Sequence, residues 1–250
     1  MAQLAVGDGI TCMACTPHIV PGLYENSTKA ITAAVNALQH ALRHERIDLE
    51  LIVGADVRIA PGLPTSLRTG SIPTLNGTRY FLFEPTHNVL PPRIESLAAK
   101  LIDAGYVPIL THPERLSWIG HHYGTIERLN ALGCLLQVTA GSVTGAFGKA
   151  ARHFADRLLD EGRVDILASD AHNTTGRPPI LSQARDVVAE RLGEGEAEAM
   201  VSARPSDIVM DRPLVPQGRN ATAQTAPLRK RTDKRNLSGL LNKWIRGSRR

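Results

Sequence analysis

A chain of 250 residues is long enough for one large α/β domain with a buried core. Hydrophobic residues make up 42% of it, and no apolar run reaches the roughly 18 residues of a membrane helix, which excludes a membrane-spanning class. The net charge of +5 is unevenly distributed along the chain. Residues 216–250 hold ten Lys or Arg and one acid (+9), and the remaining residues hold 19 basic and 23 acidic side chains (−4). The basic character therefore does not indicate a nucleic-acid-binding domain.

Short apolar runs alternate with helix-length amphipathic segments along most of the chain. This alternation is typical of βα units around a parallel sheet and predicts an α/β fold. The predicted strands are residues 10–15, 49–53, 80–83, 106–110, 135–138 and 164–168. The predicted helices are residues 27–44, 92–104, 123–132, 148–161 and 179–192.

The C-terminal part differs in composition from the rest. Residues 1–212 are predicted to form one domain, and residues 213–250 a basic linker and tail. Residues 217–235 are polar and charged, which predicts disorder. The last residues, LSGLLNKWIRGSRR, could form a short basic amphipathic helix on an anionic inner membrane leaflet. A solvated tail without a partner is the alternative.

The N-terminus and the cysteines indicate a cytoplasmic protein. The first residues, MAQLAVGDGI, lack the basic start and apolar stretch of a signal peptide. Cys12, Cys15 and Cys134 are an odd count, which suits a reducing compartment. Cys12 and Cys15 form C-x-x-C, but in the apolar run ITCMACTPH and without a second pair. We therefore expect buried core positions rather than a zinc or redox site.

Polar side chains follow five of the predicted strands. The segments are TPH (16–18), GAD (54–56), EP (84–85), THPER (111–115) and SDAH (169–172). Because active sites form at the carboxyl ends of parallel strands, these His, Asp and Glu side chains are predicted to converge on one face. One such residue alone would more often be a hydrogen-bonded structural residue.

These residue types favour a hydrolytic metal site. Imidazole and carboxylate ligands without paired cysteines suit Mn²⁺, Fe²⁺ or Zn²⁺, and a carboxylate such as Glu84 can bridge two metals. Such a cluster lowers the pKa of bound water towards neutrality. Arg115 and Arg177 lie three and five residues after His112 and His172, and their planar groups suit a phosphate. Surface salt bridges are the alternative role for both arginines.

The segments ACTPH, GAD, FEP, LTHPER and ASDAHN, in this order, resemble the PHP-domain (polymerase and histidinol phosphatase-like) tyrosine-protein phosphatases of bacterial capsule and exopolysaccharide synthesis. The resemblance covers about residues 1–212. It implies a distorted, TIM-like β/α barrel with up to three metals, Mn²⁺ being the expected one, and Arg115 and Arg177 on the phosphate. The implied substrate and partner is a phosphotyrosine-bearing tyrosine autokinase. The implied metal ligands are His18, Asp56, Glu84, His112, Asp170 and His172.

The chain departs from that family in two places. The family begins with a strand that carries His-x-His, whereas this sequence begins at MAQLAVGDGIT, which looks like the end of the helix that follows. We expect low activity of the chain as written, and either an upstream start codon or a truncated gene product would explain the difference. Secondly, GAD replaces the usual GAE, so Asp56 is one methylene shorter and is expected to reach a bridging position less easily.

Two other functions stay open at this point. One is a PHP phosphoesterase that acts on a small molecule such as histidinol phosphate. The other is a catalytically impaired PHP domain that serves as a binding module through its basic tail. Turnover of a kinase-tail phosphopeptide distinguishes a tyrosine phosphatase from a small-molecule phosphoesterase. Metal content distinguishes an enzyme from an impaired domain, which should bind little Mn²⁺.

Overall fold

The computed structural model describes residues 1–214. Eight strands and ten α-helices alternate along this part of the chain, and every strand pair within it is parallel. The strands are β1 (Cys12–Cys15), β2 (His18–Ile19), β3 (Glu50–Val53), β4 (Asp56–Arg58), β5 (Tyr80–Glu84), β6 (Val107–Thr111), β7 (Leu135–Thr139) and β8 (Ile166–Ala168). The predicted parallel α/β fold is therefore confirmed.

The helices precede, connect or follow the strands. They are α1 (Ala2–Gly7), α2 (Thr28–His44), α3 (Leu63–Thr69), α4 (Ile94–Asp103), α5 (Ile119–Leu132), α6 (Ala140–Thr144), α7 (Gly148–Asp160), α8 (Ser182–Leu192), α9 (Glu194–Glu198) and α10 (Arg204–Val209). In α2, buried Ile31, Val35 and Leu42 recur at helical spacing and form the face that packs on the sheet. Among residues 1–214, no helix combines the length and apolar character needed to cross a membrane.

Six strands form one sheet in the order β2-β4-β5-β6-β7-β8, and β1 pairs with β3 in a second, two-stranded sheet. Strand β5 lies between β4 and β6, and all five of its residues are buried, as expected for a parallel strand covered on both faces. The rings of Phe81 and Phe83 pack edge to face with centroids 5.9 Å apart in the main core. The sheet thus provides a rigid base for the loops at its carboxyl edge.

Several predicted boundaries differ from the structure. Helix α5 begins at Ile119, not at residue 123, because the polar His121 and His122 hide its first turn in the sequence. The prediction of buried cysteines was wrong for Cys12, which is exposed, and Cys15 is only partly buried. Within the described residues, β1 pairs with β3 alone, so this edge strand leaves one flank uncovered. Cys134 is buried as expected.

The last described residues are tied to the sheet. The hydroxyl of Tyr80 donates to the carbonyl oxygen of Arg212 at 2.5 Å and accepts from the backbone N–H of Leu214 at 2.9 Å. These hydrogen bonds join the end of the described chain to β5, and the domain boundary at residue 212 stays a prediction. The predicted disordered tail and its terminal helix lie outside the described residues.

Candidate metal centre and phosphate site

The sheet register places the first three predicted ligands side by side. His18 in β2 is the register partner of Asp56 in β4. Glu84 ends the next strand, β5, opposite Arg58. The Nδ1 atom of His18 lies 3.5 Å from Asp56 Oδ2 and 3.3 Å from Glu84 Oε2. One ligand atom from each of the three residues lies within 4.8 Å of the other two, which is close enough to hold a cation.

His112 adds a second imidazole to this cluster. It follows β6 directly, and its Nε2 lies 3.7 Å from Asp56 Oδ2. Its backbone has a φ of 37°, in the left-handed region that a non-glycine residue rarely occupies. Asp170, with a φ of 47°, shares this property. Strained backbone at two predicted ligands is typical of functional sites, where the surrounding structure holds an unfavourable conformation.

Burial and neighbouring charges shift the pKa values within the cluster. Burial raises the pKa of Asp56, which is only 7% exposed. Burial also opposes ionisation of Glu84, but contacts with His18 and Arg58 outweigh it and hold the pKa of Glu84 below its usual value. The same contact with Glu84 raises the pKa of His18. The site therefore stabilises an ionised carboxylate at Glu84, the state in which it can bind a cation.

Sequence reasoning missed Arg58, which contacts the predicted bridging carboxylate. Its Nε donates to Glu84 Oε2 at 3.0 Å and its NH2 group donates to Glu84 Oε1 at 3.2 Å. Arg58 lies two residues after Asp56 in β4, and alternate residues of a strand share a face. That spacing could have identified Arg58 as a member of the site.

Arg115 and Arg177 converge on one carboxylate. Arg115 NH1 donates to Asp170 Oδ2 at 2.5 Å, and Arg177 NH2 donates to the same oxygen. All three side chains are at most 25% exposed. Both arginines thus form partly buried ion pairs with a predicted metal ligand, and their role on a phosphate stays a prediction. The guanidinium of Arg115 also lies over the ring of Phe147, 4.4 Å from its centroid.

His172 lies at the edge of the cluster. Its Nδ1 is 3.0 Å from the carbonyl oxygen of Asp170, and its ring centroid lies 6.4 Å from that of His18. Within the described residues, neither Asp170 nor His172 belongs to a group of three candidate ligands within 4.8 Å. The structure thus brings His18, Asp56, Glu84 and His112 together and places the Asp170–His172 pair beside them.

His87 is a second residue that sequence reasoning missed. It lies in the loop after β5, and one of its ring nitrogens forms another group of three candidate ligands with Glu84 and His112. The signal was weak, because His87 follows the FEP segment by two residues and is part of no motif.

The polar atoms of the cluster fit a metal. The buried Nδ1 atom of His112 has no hydrogen-bond partner among the described residues, whereas Nδ1 of His18 faces the carboxylates of Asp56 and Glu84. A buried polar atom without a partner is costly and rare, so the nitrogen of His112 indicates a missing ligand. Imidazole and carboxylate donors together suit a borderline divalent ion.

Comparison with known proteins shows the class to which this fold and site belong. The family model for capsular polysaccharide synthesis proteins of the CpsB/CapC type matches residues 1–210. The chain therefore belongs to this family.

Individual relatives are similar over most of their length. The tyrosine-protein phosphatase YwqE of Bacillus subtilis is 33% identical over 193 residues, which cover 77% of this chain and 76% of YwqE. The tyrosine-protein phosphatase CpsB of Streptococcus pneumoniae is 27% identical over 213 residues, or 82% of this chain and 86% of CpsB.

A solved structure supports the same assignment. It comes from a study of YwqE from Bacillus subtilis and CpsB from Streptococcus pneumoniae, described as metal-dependent tyrosine phosphatases. The match has a TM-score of 0.83 at 30% identity and covers 87% of this chain and 88% of that chain. This similarity confirms the predicted PHP-type fold.

Proposed function

We propose that this chain is a metal-dependent tyrosine-protein phosphatase whose substrate is phosphotyrosine on a tyrosine autokinase of capsular or exopolysaccharide synthesis. The observation that carries the proposal is the meeting of a His/carboxylate cluster with two arginines on one edge of the sheet. Relatives named as tyrosine phosphatases, with the same fold, support the reaction type.

The ligands in this proposal lie at both kinds of strand end: Glu84 ends β5 and His112 directly follows β6, whereas His18 and Asp56 begin β2 and β4. His18, Asp56 and Glu84 hold one cation, and Glu84 is shared with a second position that includes His112. When bound, divalent metal supplies Lewis acidity and an activated water at neutral pH. Mn²⁺ is the proposed metal, with Fe²⁺ or Zn²⁺ as alternatives, because the donors combine imidazole with carboxylate. Asp170 and His172 complete the proposed ligand set.

The two arginines bind the phosphate in this proposal. Both guanidinium groups donate to a single oxygen of Asp170, so their N–H groups already point at one position. Two donors that share a carboxylate oxygen can share a phosphate oxygen in the same way. The charge of the two guanidinium groups then stabilises the negative charge that develops on the phosphate during hydrolysis.

Hydrolysis of a phosphotyrosine peptide from an autokinase tail, compared with histidinol phosphate, tests the function. We expect the chain loaded with Mn²⁺ to prefer the peptide, and Asp170→Ala to lower both metal content and turnover. His121→Asn, an exposed position on α5, is the matched control. Faster turnover of histidinol phosphate would support a small-molecule phosphoesterase. Peptide binding without turnover would support a binding module.

We also propose that the protein is cytoplasmic and that its basic tail contacts an anionic membrane surface. The support is the net charge of +9 in residues 216–250, since each basic residue near such a surface contributes about 1 kcal/mol. Co-sedimentation with anionic vesicles should be stronger for the full chain than for a chain that ends at Leu214, and it should fade as salt rises. Equal sedimentation of both chains would contradict this proposal.

A further inference from the structure

The loop after β5 brings a third histidine to the metal cluster. The ring of His87 packs against that of His112, with centroids 5.0 Å apart and planes tilted by 36°. One nitrogen from each ring and one carboxylate oxygen of Glu84 lie within 4.8 Å of one another. Glu84 belongs to both three-residue groups, so it lies between two candidate metal positions.

Hydrogen bonds from the next loop hold His87 in place. Its carbonyl oxygen accepts from the backbone N–H of Ser117 at 3.0 Å and from the Ser117 hydroxyl at 2.9 Å. The preceding carbonyl oxygen, of Thr86, accepts from the indole N–H of Trp118 at 2.9 Å. Trp118 is 6% exposed and belongs to the main core. The loop is therefore anchored to the core, which is the kind of support that a metal ligand needs.

The surroundings of both imidazoles favour metal binding. His112 is 4% exposed, and within residues 1–214 its Nδ1 has no hydrogen-bond partner. Burial lowers the pKa of His87, and the nearby charges of His112 and Arg115 lower it further.

The spacing of the three donors is compatible with a metal site. The donor atoms lie within 4.8 Å of one another, and at that upper limit the central point of the triangle lies about 2.8 Å from each donor, whereas bonds from Zn²⁺ to imidazole nitrogen measure about 2.0–2.1 Å. Small side-chain movements therefore suffice to bring all three donors to bonding distance.

We propose that Glu84, His87 and His112 form a three-ligand site for a borderline divalent cation such as Zn²⁺ or Co²⁺, with His87 as a direct ligand. The inference rests on the proposed metal-dependent function and adds a residue to its ligand set. Two histidines and one glutamate are a ligand set that leaves a coordination position open for water or substrate. The additional nitrogen donor favours Zn²⁺, Co²⁺ or Mn²⁺ over the oxygen-preferring Mg²⁺.

Co²⁺ titration of the metal-free full chain tests this site through the spectrum of the ion rather than through activity. Replacing His87 with Gln should remove one paramagnetically shifted imidazole N–H signal and weaken Co²⁺ binding by about 10-fold or more. His87→Asp, which restores a ligand atom, should recover most of the affinity without the signal. His121→Asn should leave both readouts unchanged. Thermal unfolding of the metal-free variants shows whether each one folds.

The outcomes separate this inference from the proposed function. If the parent chain binds Co²⁺ and His87→Gln keeps every signal and the affinity, His87 is only a packing neighbour and the inference is wrong, while the proposed function stands. If the parent chain binds no Co²⁺, both fail. If His87→Gln does not fold, the His87→Asp variant is the test. A Co²⁺ affinity close to that of the parent chain, with one imidazole signal fewer, supports His87 as a direct ligand. An unchanged set of imidazole signals overturns the inference.

Discussion

Phe147, in the loop between α6 and α7, lies beneath both phosphate-site arginines. The Cζ atoms of Arg115 and Arg177 lie 4.4 Å and 5.5 Å from the centre of its ring. Gly141 packs against the same ring, since a Cβ added there would lie 2.6 Å from a ring carbon. We predict that Phe147 keeps the two guanidinium groups together and that Phe147→Leu weakens phosphate binding.

The contacts set the size of this effect. A cation–π contact contributes about 0.5–1 kcal/mol when exposed and about 2 kcal/mol when desolvated. The side chains of Arg115 and Arg177 are 17% and 25% exposed, so their contacts fall between these limits. Two contacts then amount to about 1.5–3 kcal/mol, and leucine retains part of the packing. We expect kcat/KM to fall by about 10- to 100-fold.

The assay is hydrolysis of the phosphotyrosine peptide, with inhibition by inorganic phosphate as a second readout. Phe147→Leu should raise both the KM and the inhibition constant of phosphate, because the loss lies in phosphate binding. Phe147→Tyr retains the ring and should behave like the parent chain. Gly141→Ala displaces the ring without removing it and should have an intermediate effect. Parent-like constants for a folded Phe147→Leu variant would show that Asp170 alone orients the arginines.

Three further predictions concern stability. Asp8 caps α8 by accepting hydrogen bonds from the backbone N–H of Ser182 at 3.1 Å and from its hydroxyl at 2.5 Å. Asp8→Ala should lower the free energy of unfolding by about 1–2 kcal/mol and the Tm by about 2–8 °C, and Asp8→Asn should lower them less. Buried Glu114 accepts hydrogen bonds from the Thr139 N–H at 3.0 Å and the Ser142 hydroxyl at 2.8 Å. Glu114→Ala should lower the free energy of unfolding in urea by about 2–5 kcal/mol. Glu114→Gln should lower it less because it keeps an acceptor. Mn²⁺ at about 100 times its Kd should stabilise the folded chain by about 2.7 kcal/mol and raise its Tm by about 5–11 °C over the chelated protein. An unchanged Tm for Asp8→Ala or on addition of Mn²⁺, or an unchanged free energy of unfolding for Glu114→Ala, would contradict the corresponding contact or site.

The α/β class and the parallel sheet were predictable from the sequence. They follow from local patterns: apolar runs of strand length and amphipathic segments between them. The register of parallel neighbours then brings His18 beside Asp56 because both occupy equivalent positions on adjacent strands. The short strands β2 and β4 were not predicted, since runs of two or three residues carry no periodicity.

Contacts between loops were decided only by the tertiary structure. Three contacts join residues that are 25 or more positions apart or that lie in loops without a motif. They are the contact of Arg58 with Glu84, that of Phe147 with the two arginines, and that of His87 with His112. The direction of such side chains depends on how each loop packs, as the hydrogen bond from Trp118 to the loop of His87 shows. The exposure of Cys12 is similar, because an apolar run does not reveal whether its strand lies inside the sheet or at its edge. The sequence by itself determined which residue types meet at the site, and the packing of the loops decided which atoms touch.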